Sequence, residues 1–207
     1  MSFKAISLFL LMTIKHIYLS IFIFLSVTLS AQTAKEYADM ASAKMENKDY
    51  RNALAFIDRA IQLNDTNQWY LMDKADIELH LYGSRDAINT ILKAIPLNRK
   101  NAEVYNRAGN LYGSGGLIDS AIYMYNFAIK YAKTDTAKFG YLQNRGTAKI
   151  GNRNFEGAKQ DFEKALEFNP NEIATLNNIA GIYDELGEKK IKPLIHLKKL
   201  LNLIQIL

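Results

Sequence analysis

NRGTAKIGNRNFEGAKQDFEKALEFNP, residues 144 to 170, sets Gly146, Phe155, Ala158, Phe162, Ala165 and Pro170 at steps of 9, 3, 4, 3 and 5. The steps down to the second alanine recur three times upstream with changed letters. They run through Ala41, Tyr50, Ala53, Ile57 and Ala60, then Ala75, Ser84, Ala87, Ile91 and Ala94, then Gly109, Ile118, Ala121, Tyr125 and Ala128. Successive units are offset by 34, 34 and 37 residues. A period of this length is the mark of a repeat architecture.

The spacing has a physical reading. A small residue at the first position lets two antiparallel helices approach closely. The bulky residue nine later opens the second helix, whose Ala, bulky, Ala series at i, i+4 and i+7 forms one buried stripe. Each unit is therefore expected to be a helical hairpin. A lone hairpin cannot bury its apolar face, so neighbours must stack, and the expected fold class is all-α: a right-handed α-solenoid with one concave wall.

This pattern resembles the tetratricopeptide repeat family, whose 34-residue unit carries the same small, aromatic and alanine positions. The resemblance covers 34–67, 68–101, 102–135 and 139–172, with a fifth unit opening at 173–188, where Leu176, Ala180, Tyr183 and Gly187 take the expected places. Three departures stand out. Ser84 replaces a bulky residue, only the fourth unit keeps its terminal proline, and Thr134 to Lys138 contains a three-residue insertion.

The N-terminus reads as an export signal. Lys15 and His16 precede an apolar run from Ile17 to Leu29, followed by the small residues Ser30 and Ala31, so residues 1–31 have the layout of a secretory leader cleaved near Ala31. A run of about 13 residues is shorter than the roughly 20 needed to span a bilayer, which leaves a retained anchor as the alternative. Met12 offers a second start, which gives a compact basic segment, MTIKH, directly before the apolar run. The expected location is the periplasm or cell envelope.

The formal charge of +5 is misleading as a guide to partners. Lys4, Lys15 and five lysines after residue 188 account for seven of the 26 basic residues, leaving 19 against all 21 acidic ones between 32 and 188. A body with a net charge of −2 gives no support to nucleic-acid binding. The absence of cysteine excludes disulfides, thiolate metal sites and a cysteine nucleophile.

No catalytic, cofactor or metal site is indicated. Of the three histidines only His80 lies in the body, and one histidine builds neither a metal site nor a triad. Gly113, Gly115 and Gly116 lack the following lysine and hydroxyl of a phosphate loop and fall where the third hairpin must turn. Glu156, Asp161 and Glu163 beside Lys159 and Lys164 read as a solvated face with local ion pairs.

What remains is the groove. The resemblance implies that positions 2, 5, 9 and 12 of each first helix face a bound peptide. Position 5 is Ala38, Met72, Asn106, Gln143 and Asn177, and position 9 is Ser42, Asp76, Asn110, Thr147 and Gly181. The candidate peptide-binding residues are Met72, Asp76, Asn106, Asn110, Gln143, Thr147 and Asn177. Such a wall is rich in amides, which offer both donor and acceptor to the alternating N–H and C=O groups of an extended backbone. Lys35 and Arg107 are too sparse to form a carboxylate clamp.

The end of the chain breaks the pattern. Where a fifth Ala, bulky, Ala series is due, residues 189–207 supply Lys192, His196 and Lys199. Three readings stand: a cationic helix that contacts a membrane surface, a leucine cap on the last hairpin, or a frameshift in the lysine run. A shifted frame permits Ala, Phe, Ala and Pro at 193, 197, 200 and 205, the steps of the fourth unit.

The expectation is thus an exported repeat protein that binds a peptide or protein segment in its groove without catalysis. The alternative is an envelope scaffold that uses its convex face or helix edges. Membrane contact is expected only through the N-terminal leader or the C-terminal tail.

Overall fold

The computed structural model describes residues 33 to 187, together with Lys15. The leader, the alternative start at Met12 and the atypical tail lie outside the described residues. Helices α1 (33–46), α2 (Tyr50–Leu63), α3 (Gln68–Leu81), α4 (Ser84–Ala94), α5 (Ala102–Ser114), α6 (Ile118–Tyr131), α7 (Asp135–Gly151), α8 (Phe155–Phe168) and α9 (Ile173–Glu185) follow one another, with a short 3-10 turn at Ile95–Leu97. No strand occurs among the described residues. Tyr50, Ser84, Ile118 and Phe155, the residues nine after each small one, are the first residues of α2, α4, α6 and α8.

Polar caps and left-handed turns set the helix ends. Asn154 caps α8 by accepting from the Gly157 amide at 2.9 Å, and Asp49 caps α2 through the Asn52 amide. Each hairpin turn contains one residue at positive φ: Lys48 (57°), Gly83 (92°), Gly116 (73°) and Arg153 (56°), with Gly187 (73°) after α9. The glycine cluster around Gly115 is such a turn. Leu117 N donates to Tyr112 O at 2.9 Å and Gly116 N to Gly113 O at 3.0 Å.

The chain divides after Ile77 into two compact units. In the first, α1 and α2 form a hairpin in which the Tyr37 and Phe56 rings stack at 6.3 Å. Its stripe of Ala53, Ile57 and Ala60 is completely buried, and Ala41 nearly so. Lys74 reaches Asp58 at 2.6 Å, tying α3 to α2.

In the second unit α5 pairs with α6 and α7 with α8, while α4 packs on α5, α6 on α7 and α8 on α9. The predicted stripes Ala121, Tyr125, Ala128 and Ala158, Phe162, Ala165 are core. Burying one such large side chain is worth about 1.5–3 kcal/mol before entropy is counted. The small residue has the predicted purpose. A Cβ on Gly146 would meet the Phe162 ring at 3.0 Å, and one on Gly109 would overlap the Tyr125 ring at 2.5 Å. Phe162 also joins Ala158 to Ile179, Ile182 and Tyr183 of α9 in one cluster.

The insertion before the fourth unit is absorbed as helix. Thr134 Oγ1 caps α7 by accepting from Ala137 N at 3.1 Å, so α7 starts at Asp135 and runs for 17 residues against 13 in α5. The fourth hairpin therefore begins ahead of residue 139.

The reading of Asp161 as part of a solvated face is corrected by the structure: it is 2% exposed. Arg145 grips it with two of its guanidinium nitrogens, Nε at 2.8 Å and Nη2 at 2.6 Å, and Lys149 adds a contact at 2.8 Å. Arg145 Nη1 also donates to Asn126 Oδ1 of α6 at 2.6 Å. A carboxylate is tolerated in this interior because two cations from α7 neutralise it. Glu156 does lie on an exposed face, paired with Lys159 at 2.8 Å.

Candidate functional site

One wall of the second unit is built from the first helices of successive hairpins: α5, α7 and α9. Residues four apart share a helix face. Asn106 and Asn110 lie on one face of α5, Gln143 and Thr147 on one face of α7, and Asn177 and Gly181 on one face of α9. Hydrogen bonds join the three helices. Asn144 Nδ2 donates to Asn106 Oδ1 at 2.9 Å, Tyr141 Oη to Glu103 Oε2 at 3.1 Å, and Gln143 Nε2 to Thr175 Oγ1. Within the third hairpin Tyr125 Oη donates to Asn110 Oδ1 at 2.7 Å.

Each bond uses one end of an amide and leaves the other. Asn106 Nδ2 and Asn110 Nδ2 as donors, and Gln143 Oε1 as an acceptor, have no partner among the described residues. The wall therefore holds its side chains in place while presenting both kinds of hydrogen-bonding group. That preorganisation lowers the entropy cost of engaging a partner.

Charge along the wall is balanced. Arg107 Nε meets Glu103 Oε1 at 3.4 Å, one turn apart on α5. Burial pushes the Tyr125 hydroxyl up to about 12. Burial, with the Glu103 carboxylate beside it, does the same to Tyr141, also to about 12. Both phenols are thus neutral donors at physiological pH. Among the described residues no group of three histidine, cysteine or carboxylate side chains gathers as for a metal ion. No helix among them is long and apolar enough to cross a membrane.

Five of the seven candidate residues belong to this unit, and on its wall Asn110, Thr147 and Asn177 are exposed while Asn106 and Gln143 are half-buried. The other two belong to the first unit. Met72 is 0% exposed, so it is core and not groove surface, as its apolar side chain at an enclosed position requires. Asp76 is half-buried and already engaged. In the same unit Ala38 is also buried, and Ser42 Oγ returns to the Ala38 carbonyl at 3.1 Å.

The pattern of positions 5 and 9 passes over Glu103, Tyr141, Asn144 and Thr175, which complete the inter-helix bonds. Glu103 stands at position 2, on the expected stripe itself, while the hydroxyls of Tyr141 and Thr175 at position 3 and the amide of Asn144 at position 6 lie beside it.

A tetratricopeptide repeat family model matches residues 139–172, the fourth unit. A TPR repeat-containing protein of Methanocaldococcus jannaschii is 25% identical over 202 residues, covering 76% of this chain and 35% of that protein. The photosystem I assembly protein Ycf3 of a Synechococcus strain is 32% identical over 99 residues, covering 47% of this chain and 57% of that one. The chain thus spans between about a third and somewhat over half of the length of these relatives. Among solved structures, MamA from Desulfovibrio magneticus superposes with a TM-score of 0.71 at 16% identity, covering 84% of this chain and 96% of that one. YrrB, a TPR protein with an unusual peptide-binding site, gives 0.63 at 17% identity over 80% of this chain and 84% of its own. These likenesses show the fold: an α-solenoid of antiparallel helix hairpins.

Proposed function

We propose that this chain is a non-catalytic interaction module that holds an extended segment of a partner protein along the α5, α7 and α9 wall. The observation that carries this reading is the set of braced amides. Asn106, Asn110 and Gln143 are each fixed at one end by Asn144, Tyr125 and Thr175, with the other end open. A strand of polypeptide supplies the alternating N–H and C=O groups such a wall can pair. Relatives and structural neighbours that assemble complexes or bind peptides support the reading. So does the presence of both donors and acceptors where a purely structural seam needs only matched pairs.

Export to the periplasm or envelope belongs to the same proposal and rests on residues 1–31. The mass of the protein recovered from the envelope fraction tests it, since cleavage near Ala31 removes the apolar run.

The combined variant Asn106→Ala, Asn110→Ala, Gln143→Ala tests the wall. Loss of partner capture from envelope extracts with helicity retained supports it. Unchanged capture turns the reading toward a scaffold that works through its outer faces.

A further inference from the structure

A second surface lies away from the amide wall, on the outer helix of the third hairpin. Tyr123, Phe127 and Tyr131 recur every fourth residue on one face of α6. Phe127 stacks on Tyr105 of α5 at 5.1 Å, Tyr131 lies 5.7 Å from Tyr105, and Tyr123 stands edge-on to Phe127 at 5.1 Å and 78°. Tyr105 is core, yet Tyr123 is 58% exposed, and Leu97 in the preceding turn is 41% exposed. The Tyr105 hydroxyl donates to the Arg99 carbonyl at 3.1 Å, which ties the 97–101 turn at Arg99 to the ring on which Phe127 and Tyr131 pack.

The rim of this aromatic shelf is cationic. Lys130 Nζ sits 5.5 Å over the Tyr131 ring. Arg99, Lys100 and Lys133 are exposed beside it in sequence. Glu103 and Asp135 are the nearest acids along the chain, and Glu103 is taken up by Arg107 and Tyr141. Among the described residues none of the four cations has a carboxylate partner. Within the same unit Arg107 pairs with Glu103, Arg145 and Lys149 pair with Asp161, and Lys159 pairs with Glu156. An unmatched basic rim around exposed apolar edges, on a body whose net charge is negative, has a definite complement. Tyr123, held edge-on to Phe127, and Leu97 are the large apolar side chains exposed here, so the surface suits one anchoring side chain and is too small for insertion into a bilayer.

We propose that the α6 face and the 97–101 turn form a second docking site, for an acidic peptide segment that carries one aromatic or aliphatic anchor. The carboxylates meet Arg99, Lys100, Lys130 and Lys133, and the anchor lies against Tyr123, Phe127 and Leu97. Charge sets the approach and the ring contact sets the dwell time.

The probe is a dye-labelled peptide of aspartate and glutamate with one central tryptophan, titrated with the full chain by fluorescence anisotropy. The double variant Arg99→Glu, Lys130→Glu should weaken binding roughly tenfold or more, and Tyr123→Ser several-fold. Replacing the peptide's tryptophan by serine should cost about as much as Tyr123→Ser, and added salt should weaken the complex. The triple amide variant of the wall should bind the probe as the wild type does, so this site and the wall fail or stand separately. Absent binding, binding indifferent to the charge reversal, or equal binding of the serine peptide would overturn the proposal. Anionic phosphatidylglycerol vesicles, captured in place of the peptide and released by the same variants, would also overturn it and assign the surface to a membrane.

Discussion

The Tyr125 ring occupies the space a side chain on Gly109 would need: a Cβ there would lie 2.5 Å from Tyr125 Cε1. This pair closes the third hairpin, as Gly146 and Phe162 close the fourth. Gly109→Ala gains about 1 kcal/mol of helix propensity but forces a stiff ring to move, a cost of about 1–3 kcal/mol. The variant should be less stable by denaturant unfolding, and adding Tyr125→Leu should recover part of the loss. Gly140→Ala and Gly181→Ala, where a Cβ meets nothing within 4 Å, should instead raise stability by up to about 1 kcal/mol each.

Asp161 should be the costliest single carboxylate to lose. Asp161→Asn leaves Arg145 and Lys149 without their counter-charge inside the hairpin, an expected loss of about 3 kcal/mol. Glu156→Gln, which removes the exposed carboxylate of the pair with Lys159, should change stability by less than about 1 kcal/mol. Urea midpoints of the two variants against wild type measure the difference.

The turns make a further distinction. Arg153 and Lys48 hold φ of 56° and 57°, in the left-handed region where a Cβ is strained. Arg153→Gly should be neutral to stabilising by up to about 1 kcal/mol, whereas Gly116→Ala, at 73°, should destabilise by about 1 kcal/mol. Thermal unfolding followed by circular dichroism gives both signs.

Alkaline titration should reach the wall through Tyr125. Its hydroxyl is held neutral by burial, with the pKa up from 10.0 to about 12, and it donates to Asn110. A raised folded pKa contributes stability that is complete below pH 10 and is lost as pH rises through 12. Tyr125→Phe should flatten that part of the stability profile, measured as unfolding midpoints across this range. Tyr141, raised by burial and by Glu103, contributes in the same direction and remains in the variant.

The hairpins were legible because their signal is steric and local. Gly146, Phe155, Ala158 and Phe162 must stand at those intervals for two helices to close, and the same intervals reappear with other letters. Asp161 was not legible, since a charged residue on a helix reads as solvated until Arg145 and Lys149 are seen to converge on it. Met72 failed as a groove residue for a related reason: position 5 names a helix face, and what encloses that face depends on neighbours far away in sequence. The bonds of Asn144 and Thr175 were missed because donor and acceptor come from different repeats, 38 and 32 residues apart.

The central claim is that a partner lies along the α5, α7 and α9 wall. A photo-crosslinking amino acid placed singly at Thr147 and Asn177, both exposed there, and at Glu163, exposed on α8, tests it most directly in cells making the full chain. Adducts to the same partner from Thr147 and Asn177, and none from Glu163, are the expected result. Adducts from Glu163 with none from either wall position would contradict the account.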